Sequence, residues 1–318
     1  MPILADPRAW DLHGSAVAAA LEPLRPEVLF LAGEGEKRFA AVERLTTELA
    51  ERRVHRREVL VIFGGGVCCD VGGLVAMLYM RGMRYVIVAT TLMAQIDAAI
   101  GGKVGCNTPG RKNLLGGFHH PELVLIDPGF LGTLPERHLR AALAEALKMH
   151  VLLPALAIKP LLEPAGNRDQ FALEQLAERC LDGKLALLEK DPFEADLRRS
   201  LNLGHAVAHA LEAEPGSTLL HGEAVAIGLA ATARYAEMSG ISTPGRAESI
   251  IDQLKRLRLP DRTEQETEGL ASRLEAIADH RGGEIHLVVP AGDEGVEIVE
   301  DCDFGLLARC ASGVPVAL

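Results

Sequence analysis

Strand-like and helix-like segments alternate through the first 130 residues of this 318-residue chain. Short apolar runs typical of buried strands lie at residues 3–5, 28–32, 59–63, 85–88 and 123–126. Segments with helical spacing lie between them, including residues 36–52 and 70–80. Because parallel strands are joined by helical crossovers, this alternation predicts a mostly parallel sheet covered by helices.

The pattern changes at Leu134-Pro135-Glu136, where a proline stands at a predicted helix start. After this point the sequence is helical almost throughout, apart from one predicted strand at residues 284–289. We therefore predict an α/β fold in two domains. The first is a Rossmann-like α/β domain over residues 1–134, and the second is a mostly helical domain over residues 135–318.

Charge and cysteine content restrict the partners of the chain. A net charge of −11 argues against nucleic acid, because phosphate binding depends on clustered cations, and the basic run at residues 52–57 fits a solvated helix end. The six cysteines show no metal-type spacing, so we expect free thiols in a reduced, cytoplasmic compartment. Because there is no signal pattern and no apolar run of membrane-spanning length, we expect no membrane partner.

Three histidines in the helical part are candidate metal ligands. His205 and His209 are four residues apart, so a helix places both on one face. His221 follows a Glu-Pro-Gly-Ser-Thr turn that can fold a second helix back onto the first, and Arg198 and Asn202 precede the group. Imidazoles from two facing helices, together with one carboxylate, can hold a divalent metal ion and leave a coordination position open for substrate.

Glu145 and Lys148 lie three residues apart on one helical face. They form either a surface ion pair or a functional pair, in which Glu145 is the carboxylate ligand and Lys148 points into the same cleft. Lys184 and Arg198 lie on segments that lead to the histidine helix, and for both the alternative is an exposed charge.

Glycines follow the predicted strand at residues 59–63. Gly64-Gly65-Gly66 forms either a tight turn or a turn that brings backbone N–H groups to a pyrophosphate. Asp70 is either a ribose acceptor or a residue of the helix start, and Thr90 and Thr91 place hydroxyls at the end of another strand. Lys103 and Lys112 stand beside glycines, which with the histidines suggests an anionic, polyhydroxylated substrate.

Eight sequence motifs, which occur in the order of the family along nearly the whole chain, indicate a family resemblance. They are Phe-Gly-Gly-Gly-Val-x-x-Asp70, Tyr-x-Arg81-Gly, Thr90-Thr-Leu, Gln-Ile-Asp97-x-x-x-Gly-Gly-Lys103, Lys112-Asn113-Leu-x-Gly, Ala-Glu145-x-x-Lys148, Leu-Asn202-Leu-Gly-His205 and Leu-His221-Gly-Glu-Ala-Val. On these motifs the chain resembles the sugar phosphate cyclases, and within them the 3-dehydroquinate synthase family.

The resemblance implies an N-terminal NAD-binding domain and a C-terminal metal-binding domain, with the active site between them. The implied metal ligands, for zinc or cobalt, are Glu145, His205 and His221. The implied substrate contacts are Asp97, Lys103, Asn113, Lys148, Lys184, Arg198, Asn202 and His209, together with Arg81, which would reach the phosphate from the neighbouring subunit of a homodimer. The implied NAD contacts are Glu34, Lys37, Gly65, Gly66, Asp70, Thr90, Thr91, Lys112, Phe130 and Thr133, with Asp6 as a candidate for the adenosine ribose.

The implied reaction belongs to the shikimate pathway of aromatic amino acid biosynthesis. It is the NAD- and metal-dependent cyclisation of 3-deoxy-D-arabino-heptulosonate 7-phosphate to 3-dehydroquinate, with release of phosphate. NAD is reduced and then regenerated within one turnover, and the substrate phosphate accepts a proton as it leaves. His209 is then a substrate residue rather than a third metal ligand.

The chain departs from the family pattern in three places. A leading β-hairpin is expected to be missing, Asp279-His280-Arg281 replaces a late Asp-Lys-Lys, and Ala206-Val207-Ala208 replaces Thr-Phe-Gly. Three alternatives follow: a cyclase acting on another sugar phosphate such as sedoheptulose 7-phosphate, a polyol dehydrogenase of the glycerol dehydrogenase type, and a non-catalytic homologue. Arg198, Asn202 and His209 favour the heptulosonate substrate, because Arg198 can pair with its carboxylate.

Overall fold

The protein is described here by a computed structural model over residues 1–162, 170–193, 200–280 and 286–313. The chain divides into two compact units. The first contains Met1–Pro135 and Lys184–Leu188, and the second contains Glu136–Gly183 and Glu189–Leu318. No helix in the described ranges is both long enough and apolar enough to cross a membrane.

The first unit is built on a five-stranded parallel sheet. The strands of this unit are β1 (Pro2–Ala5), β2 (Glu27–Phe30), β3 (Val59–Gly64), β4 (Arg84–Ala89), β5 (Lys103–Thr108), β6 (Arg111–Phe118) and β7 (Leu123–Ile126). Its helices are α1 (Pro7–Leu21), α2 (Phe39–Glu51) and α3 (Gly66–Leu78). The sheet order is β2-β1-β3-β4-β7, while β5 and β6 pair as a separate antiparallel hairpin.

Alternate residues of the central strands form the core on one face of this sheet. Ile3, Val61, Phe63 and Val88 are buried together, because side chains two apart on a strand point to the same face. Trp10 of α1 covers them, with its ring centroid 5.7 Å from that of Phe63. The apolar runs read from the sequence are therefore the strands that hold the sheet together.

The strand order also shows where this sheet can bind a ligand. The chain passes from β1 outward to β2 on one side and then returns to β3 on the other, so the order reverses between β1 and β3. In open parallel sheets the crevice beyond the carboxyl ends at such a reversal is the usual ligand site. Asp6 and Gly65 lie at these strand ends.

The second unit consists mainly of helices. They are α4 (Glu136–Leu152), α5 (Gln170–Leu188), α6 (His205–Glu212), α7 (His221–Met238), α8 (Arg246–Arg256), α9 (Thr267–His280) and α10 (Phe304–Ser312). The last five residues of α5, Lys184–Leu188, belong to the first unit. Strands β8 (Leu287–Pro290) and β9 (Val296–Val299) form an antiparallel hairpin. Helix α7 packs against α4, α6, α8 and α10 and is buried along most of its length.

Two glycines allow α7 to approach its neighbours closely. A Cβ at Gly222 would overlap the backbone carbonyl of Ala141 in α4, and a Cβ at Gly228 would overlap the carbonyl of Gly204. Gly204 itself has a φ of 78°, a left-handed conformation that glycine adopts without strain, immediately before α6. These contacts bring the starts of α6 and α7 close to α4.

The structure confirms the predicted α/β sheet and the mostly helical second part, and it differs from the sequence prediction in detail. The region of Lys103 and Lys112, read as glycine-rich loop, is the β5–β6 hairpin, and β9 was also missed. The glycines that obscured the hairpin are needed within it, since a Cβ at Gly116 would overlap the carbonyl of Val104. Helix α3 begins at Gly66 rather than at residue 70, and residues 284 and 285 of the predicted late strand lie outside the described ranges.

Candidate active site

One carboxylate and two imidazoles converge in the second unit. Glu145 lies on α4, while His205 and His221 are the first residues of α6 and α7. Glu145 Oε1 is 3.5 Å from Nε2 of His205 and 3.5 Å from Nε2 of His221. All the candidate ligand atoms lie within 4.8 Å of one another. Two nitrogen donors and one oxygen donor at this spacing fit a divalent ion with a position left for substrate.

Glu145 and Lys148 form a buried pair, not a surface pair. Their side chains are each 2% exposed, and Lys148 Nζ lies 2.5 Å from Glu145 Oε2. Carboxylate and ammonium groups are buried only when they are paired or bind a metal ion. The surface ion pair, one of the two alternatives for Glu145 and Lys148, is therefore wrong.

The two converging histidines differ in their preference for a proton. Burial and the positive charge of Lys148 lower the pKa of His205 to about 3, so its imidazole is neutral. Burial also disfavours a charged His221, but hydrogen bonds to Glu145 and Glu212 outweigh it and raise the pKa of His221 to about 10. The carboxylates around His221 thus favour a positive charge at this point, which a bound cation would also supply.

His209 lies beside this cluster without joining it. Its ring centroid is 5.6 Å from that of His205 and 6.4 Å from that of His221. Among the described residues, the group of ligand atoms that converges is the one from Glu145, His205 and His221. Sequence spacing alone suggested a metal site with three imidazoles. The group found has two imidazoles and one carboxylate instead. Asn202 ends a short helical turn, Ser200–Asn202, just before α6, and Arg198 lies outside the described residues.

Glu212 is a residue of this site that the sequence analysis missed. Its Oε2 lies 3.4 Å from Nδ1 of His221, on the side of the ring opposite the nitrogen that faces Glu145. Glu212 stands seven residues after His205 and three after His209, so the three side chains lie along one face of α6. That spacing is the signal that could have identified it.

In the first unit, Asp97 and Lys184 are in direct contact. Lys184 Nζ lies 2.6 Å from Asp97 Oδ1 and 2.5 Å from the Asp97 carbonyl oxygen. Lys184 is 5% exposed, so the exposed-charge alternative for it is wrong. Lys103 begins β5 and is exposed. Asn113, on β6, has a φ of 51°, and its backbone N–H donates to Asn107 Oδ1 at 2.9 Å.

The glycine turn after β3 leaves the start of α3 open. Gly65 caps this helix, and among the described residues no side chain caps it. Uncapped N–H groups at a helix start form an anion site, which fits a pyrophosphate. Asp70, on the same helix, pairs with Lys37 at 2.5 Å. Its role as a mere helix-start residue is therefore wrong, because α3 begins four residues earlier.

The other predicted cofactor contacts form small groups in the first unit. Lys112 Nζ lies 2.5 Å from Glu34 Oε1. Thr133 Oγ1 donates to the carbonyl of Phe130 at 3.1 Å, and it lies 2.7 Å from Nε2 of His13, which the sequence did not single out.

Three further candidates lie at strand ends. The backbone N–H of Thr90 donates to Gly64 at 3.0 Å, and Thr91 Oγ1 accepts from the N–H of Ala94 at 3.2 Å. Asp6 Oδ1 accepts from the N–H of Ala9 at 2.9 Å, so this side chain caps α1.

Arg81 lies at a strongly basic cavity on the first unit. The cavity has a volume of about 600 Å³, and its charged and imidazole lining is Arg56, Arg57, Arg81, Arg84, His119, His120 and the single carboxylate of Glu122. Arg81 has a φ of 64°, and it follows Met80 with a φ of 48°. Arg56 Nε donates to the carbonyl of Gly82 at 2.9 Å and holds this strained turn. Two of the four arginines in the basic run at residues 52–57 therefore line a cavity, although the sequence suggested only a solvated helix end.

The first unit is a parallel α/β sheet covered by helices, and the helical second unit carries a Glu-His-His cluster whose carboxylate is buried. The solved structure of ValA, a 2-epi-5-epi-valiolone synthase from Streptomyces hygroscopicus subsp. jinggangensis 5008 with NAD+ and Zn2+ bound, matches with a TM-score of 0.89. It is 32% identical in sequence, and the match covers 97% of this chain and 89% of that chain. Family models for the N-terminal and C-terminal parts of 3-dehydroquinate synthase match residues 27–141 and 142–279. The chain belongs to the 3-dehydroquinate synthase family.

Its curated relatives include enzymes with two different names. A 2-epi-valiolone synthase from Stigmatella aurantiaca (strain DW4/3-1) is 42% identical over 291 residues, which is 87% of this chain and 72% of the relative. A 3-dehydroquinate synthase from Solibacter usitatus (strain Ellin6076) is 37% identical over 307 residues, which is 94% of this chain and 85% of the relative. The family expected from the motifs is thus confirmed, and the cofactors expected are those that ValA holds.

Proposed function

We propose that this protein is an NAD- and divalent-metal-dependent enzyme that converts 3-deoxy-D-arabino-heptulosonate 7-phosphate into 3-dehydroquinate and phosphate. The observation that carries the proposal is the convergence of His205 and His221 on the buried carboxylate of Glu145, with Lys148 beside it. The proposal includes a homodimer in the cytoplasm. It is supported by the family of the chain and by Arg198, Asn202 and His209, the residues that favour a substrate with a carboxylate.

In this proposal the Glu-His-His cluster holds the metal ion. The donor set fits zinc or cobalt, since each accepts imidazole nitrogen and carboxylate oxygen. Such an ion lowers the pKa of substrate hydroxyl groups. Lys148 keeps a positive charge next to Glu145 and donates a hydrogen bond to a substrate oxygen. His209 and Asn202 hydrogen-bond the phosphate and orient it to take up the ring proton as it leaves.

The first unit holds the dinucleotide in this proposal. The uncapped start of α3 at Gly65 and Gly66 accepts the pyrophosphate, while Asp70, fixed by Lys37, hydrogen-bonds a ribose. Bound NAD accepts and returns a hydride, so no reduced cofactor accumulates. Lys184 neutralises Asp97 and holds its carboxylate in place toward the substrate.

A second substrate is a specific alternative. Sedoheptulose 7-phosphate, which lacks the carboxylate, is supported by the higher identity to the 2-epi-valiolone synthase, 42% against 37% for the 3-dehydroquinate synthase from Solibacter. The replacement of the family's late lysine by Arg281, which lies outside the described residues, also supports it.

Phosphate release measured with both sugar phosphates tests the proposal. The zinc-loaded protein with NAD is given each substrate at equal concentration, and both phosphate and NADH are followed. We expect phosphate from the heptulosonate phosphate without net NADH. Release from sedoheptulose 7-phosphate alone would move the assignment to the second substrate. Net NADH with a simple polyol would indicate a dehydrogenase, and no release from either sugar would contradict cyclase activity.

A further inference from the structure

We propose that Glu212 is a positioning residue that orients His221 for metal binding and sets how tightly the second unit holds its divalent ion. This inference rests on the proposed function only in requiring a metal ion at Glu145, His205 and His221. It assigns a role to a residue outside the family motifs found in the sequence, and the role follows from where two helices end and begin.

The geometry places one imidazole ring between two carboxylates. Glu212 is the last residue of α6 and His221 is the first residue of α7. Nδ1 of His221 lies 3.4 Å from Glu212 Oε2, while Nε2 of the same ring lies 3.5 Å from Glu145 Oε1. The Glu212 side chain is 8% exposed and the His221 side chain is 33% exposed, so water screens this interaction only in part.

This arrangement selects one tautomer of His221. When Nδ1 carries the hydrogen and donates it to Glu212, the lone pair is left on Nε2, the nitrogen that faces Glu145. A carboxylate acceptor also increases the electron density of the ring and makes Nε2 a stronger ligand. Glu212 therefore fixes both the orientation and the donor strength of His221.

His205 has a partner of a different kind. Its Nδ1 lies 3.1 Å from the backbone carbonyl oxygen of Leu203, which is neutral and cannot be removed by mutation. The two imidazoles are thus held unequally, one by a carbonyl and the other by a charged side chain. The difference means that a substitution at Glu212 acts on His221 and leaves the support of His205 in place.

Glu214 provides a matched control on the same segment. It lies two residues after Glu212 and pairs instead with Arg273, at a side-chain exposure of 37%. Glu214→Gln removes the same negative charge as Glu212→Gln. The two positions are a similar number of residues before His221. A general effect of charge near the site would change both variants, whereas a positioning effect would change only the Glu212 variant.

Zinc affinity of the full-length protein, measured by competition with a chromophoric chelator, tests the inference. We expect Glu212→Ala to weaken zinc binding by about 10- to 100-fold, the usual cost of losing such a support. Glu212→Gln keeps a hydrogen-bond acceptor without the charge and should weaken binding by less, and Glu214→Gln should bind as the wild type does. The visible spectrum of Co2+ should also change in the Glu212 variants, because it reports ligand geometry.

The outcomes separate this inference from the proposed function. Failure of the wild type to bind zinc would contradict the proposed function itself. Wild-type affinity and an unchanged Co2+ spectrum in both Glu212 variants would overturn the inference alone. The melting temperature of each metal-free variant controls for folding. If Glu212→Ala melts at a lower temperature than the wild type, the zinc affinity of the near-isosteric Glu212→Gln variant is used to test the inference.

Discussion

At the scale of single residues, one helical face carries side chains with different roles. His205, His209 and Glu212 all lie along α6, yet His205 faces Glu145, His209 stands beside the cluster and Glu212 supports His221. Helical spacing predicted that His205 and His209 lie on one face of the helix. It could not show which of them is a metal ligand and which is only its neighbour. The distinction comes from Glu145, which arrives from a separate helix.

Replacement of His209 tests this division of roles. We expect His209→Ala to bind zinc with unchanged stoichiometry, because its ring is outside the converging group. Phosphate release should fall by about 10²- to 10⁴-fold, the range for losing a group that assists proton transfer. Metal analysis and steady-state kinetics measure the two effects, with His221→Ala as the comparison that should lose the metal. Loss of zinc from His209→Ala would show that His209 is a ligand.

Replacement of Glu145 tests the buried pair. Glu145→Ala removes a candidate ligand and leaves the Lys148 ammonium buried without that carboxylate, since both side chains are 2% exposed. We expect loss of bound zinc and a decrease in the free energy of unfolding of the metal-free protein of about 3 to 5 kcal/mol. Urea denaturation measures this change.

Glu136→Ala is the control for that experiment. It removes a 59% exposed carboxylate from the same helix and should change the stability by less than about 0.5 kcal/mol. Equal effects at Glu136 and Glu145 would contradict the buried pair.

At the scale of elements, continuous apolar sequence predicted the strands of the parallel sheet, because strands buried on both faces are apolar throughout. It could not predict the β5–β6 hairpin, where Gly105, Gly116 and Gly117 interrupt the alternation that marks a strand. It also could not reveal that Glu145 and Lys148 are buried, since the same spacing marks ordinary surface pairs. Burial depends on α7 crossing α4, which is a contact between distant segments.

Gly222 tests how close that crossing must be. A Cβ here would overlap the Ala141 carbonyl, and backbone atoms cannot move aside as the end of a side chain can. We expect Gly222→Ala to lower the free energy of unfolding by about 1 to 3 kcal/mol and to weaken zinc binding, because His221 shifts with the start of α7.

Gly269→Ala is the matched control. It lies within α9, its added Cβ would meet only the end of the Arg273 side chain at 3.4 Å, and it should stabilise the protein by about 0.5 to 1 kcal/mol. Urea denaturation of both variants gives the comparison. A stabilised Gly222→Ala would show that the two helices are not in close contact.

At the scale of the whole molecule, the net charge is negative but one part of the surface is positively charged. The chain carries a net charge of −11, yet four arginines surround one cavity on the first unit. The proposed substrate is itself an anion. A molecule of this net charge repels an anion at long range, whereas the arginines around the cavity attract an anion at short range.

That basic cavity has a consequence for the speed of substrate capture. The Debye length falls from about 30 Å in 0.01 M salt to about 10 Å in 0.1 M and about 3 Å in 1 M. Moderate salt should screen the repulsion by distant acidic groups while the arginines still attract the substrate. As the salt concentration increases, kcat/KM should therefore rise, pass through a maximum and then fall. Kinetics across sodium chloride concentrations, with Arg84→Gln to flatten the final decrease, measure this profile. A steady fall from the lowest salt would mean that short-range attraction governs capture at every ionic strength.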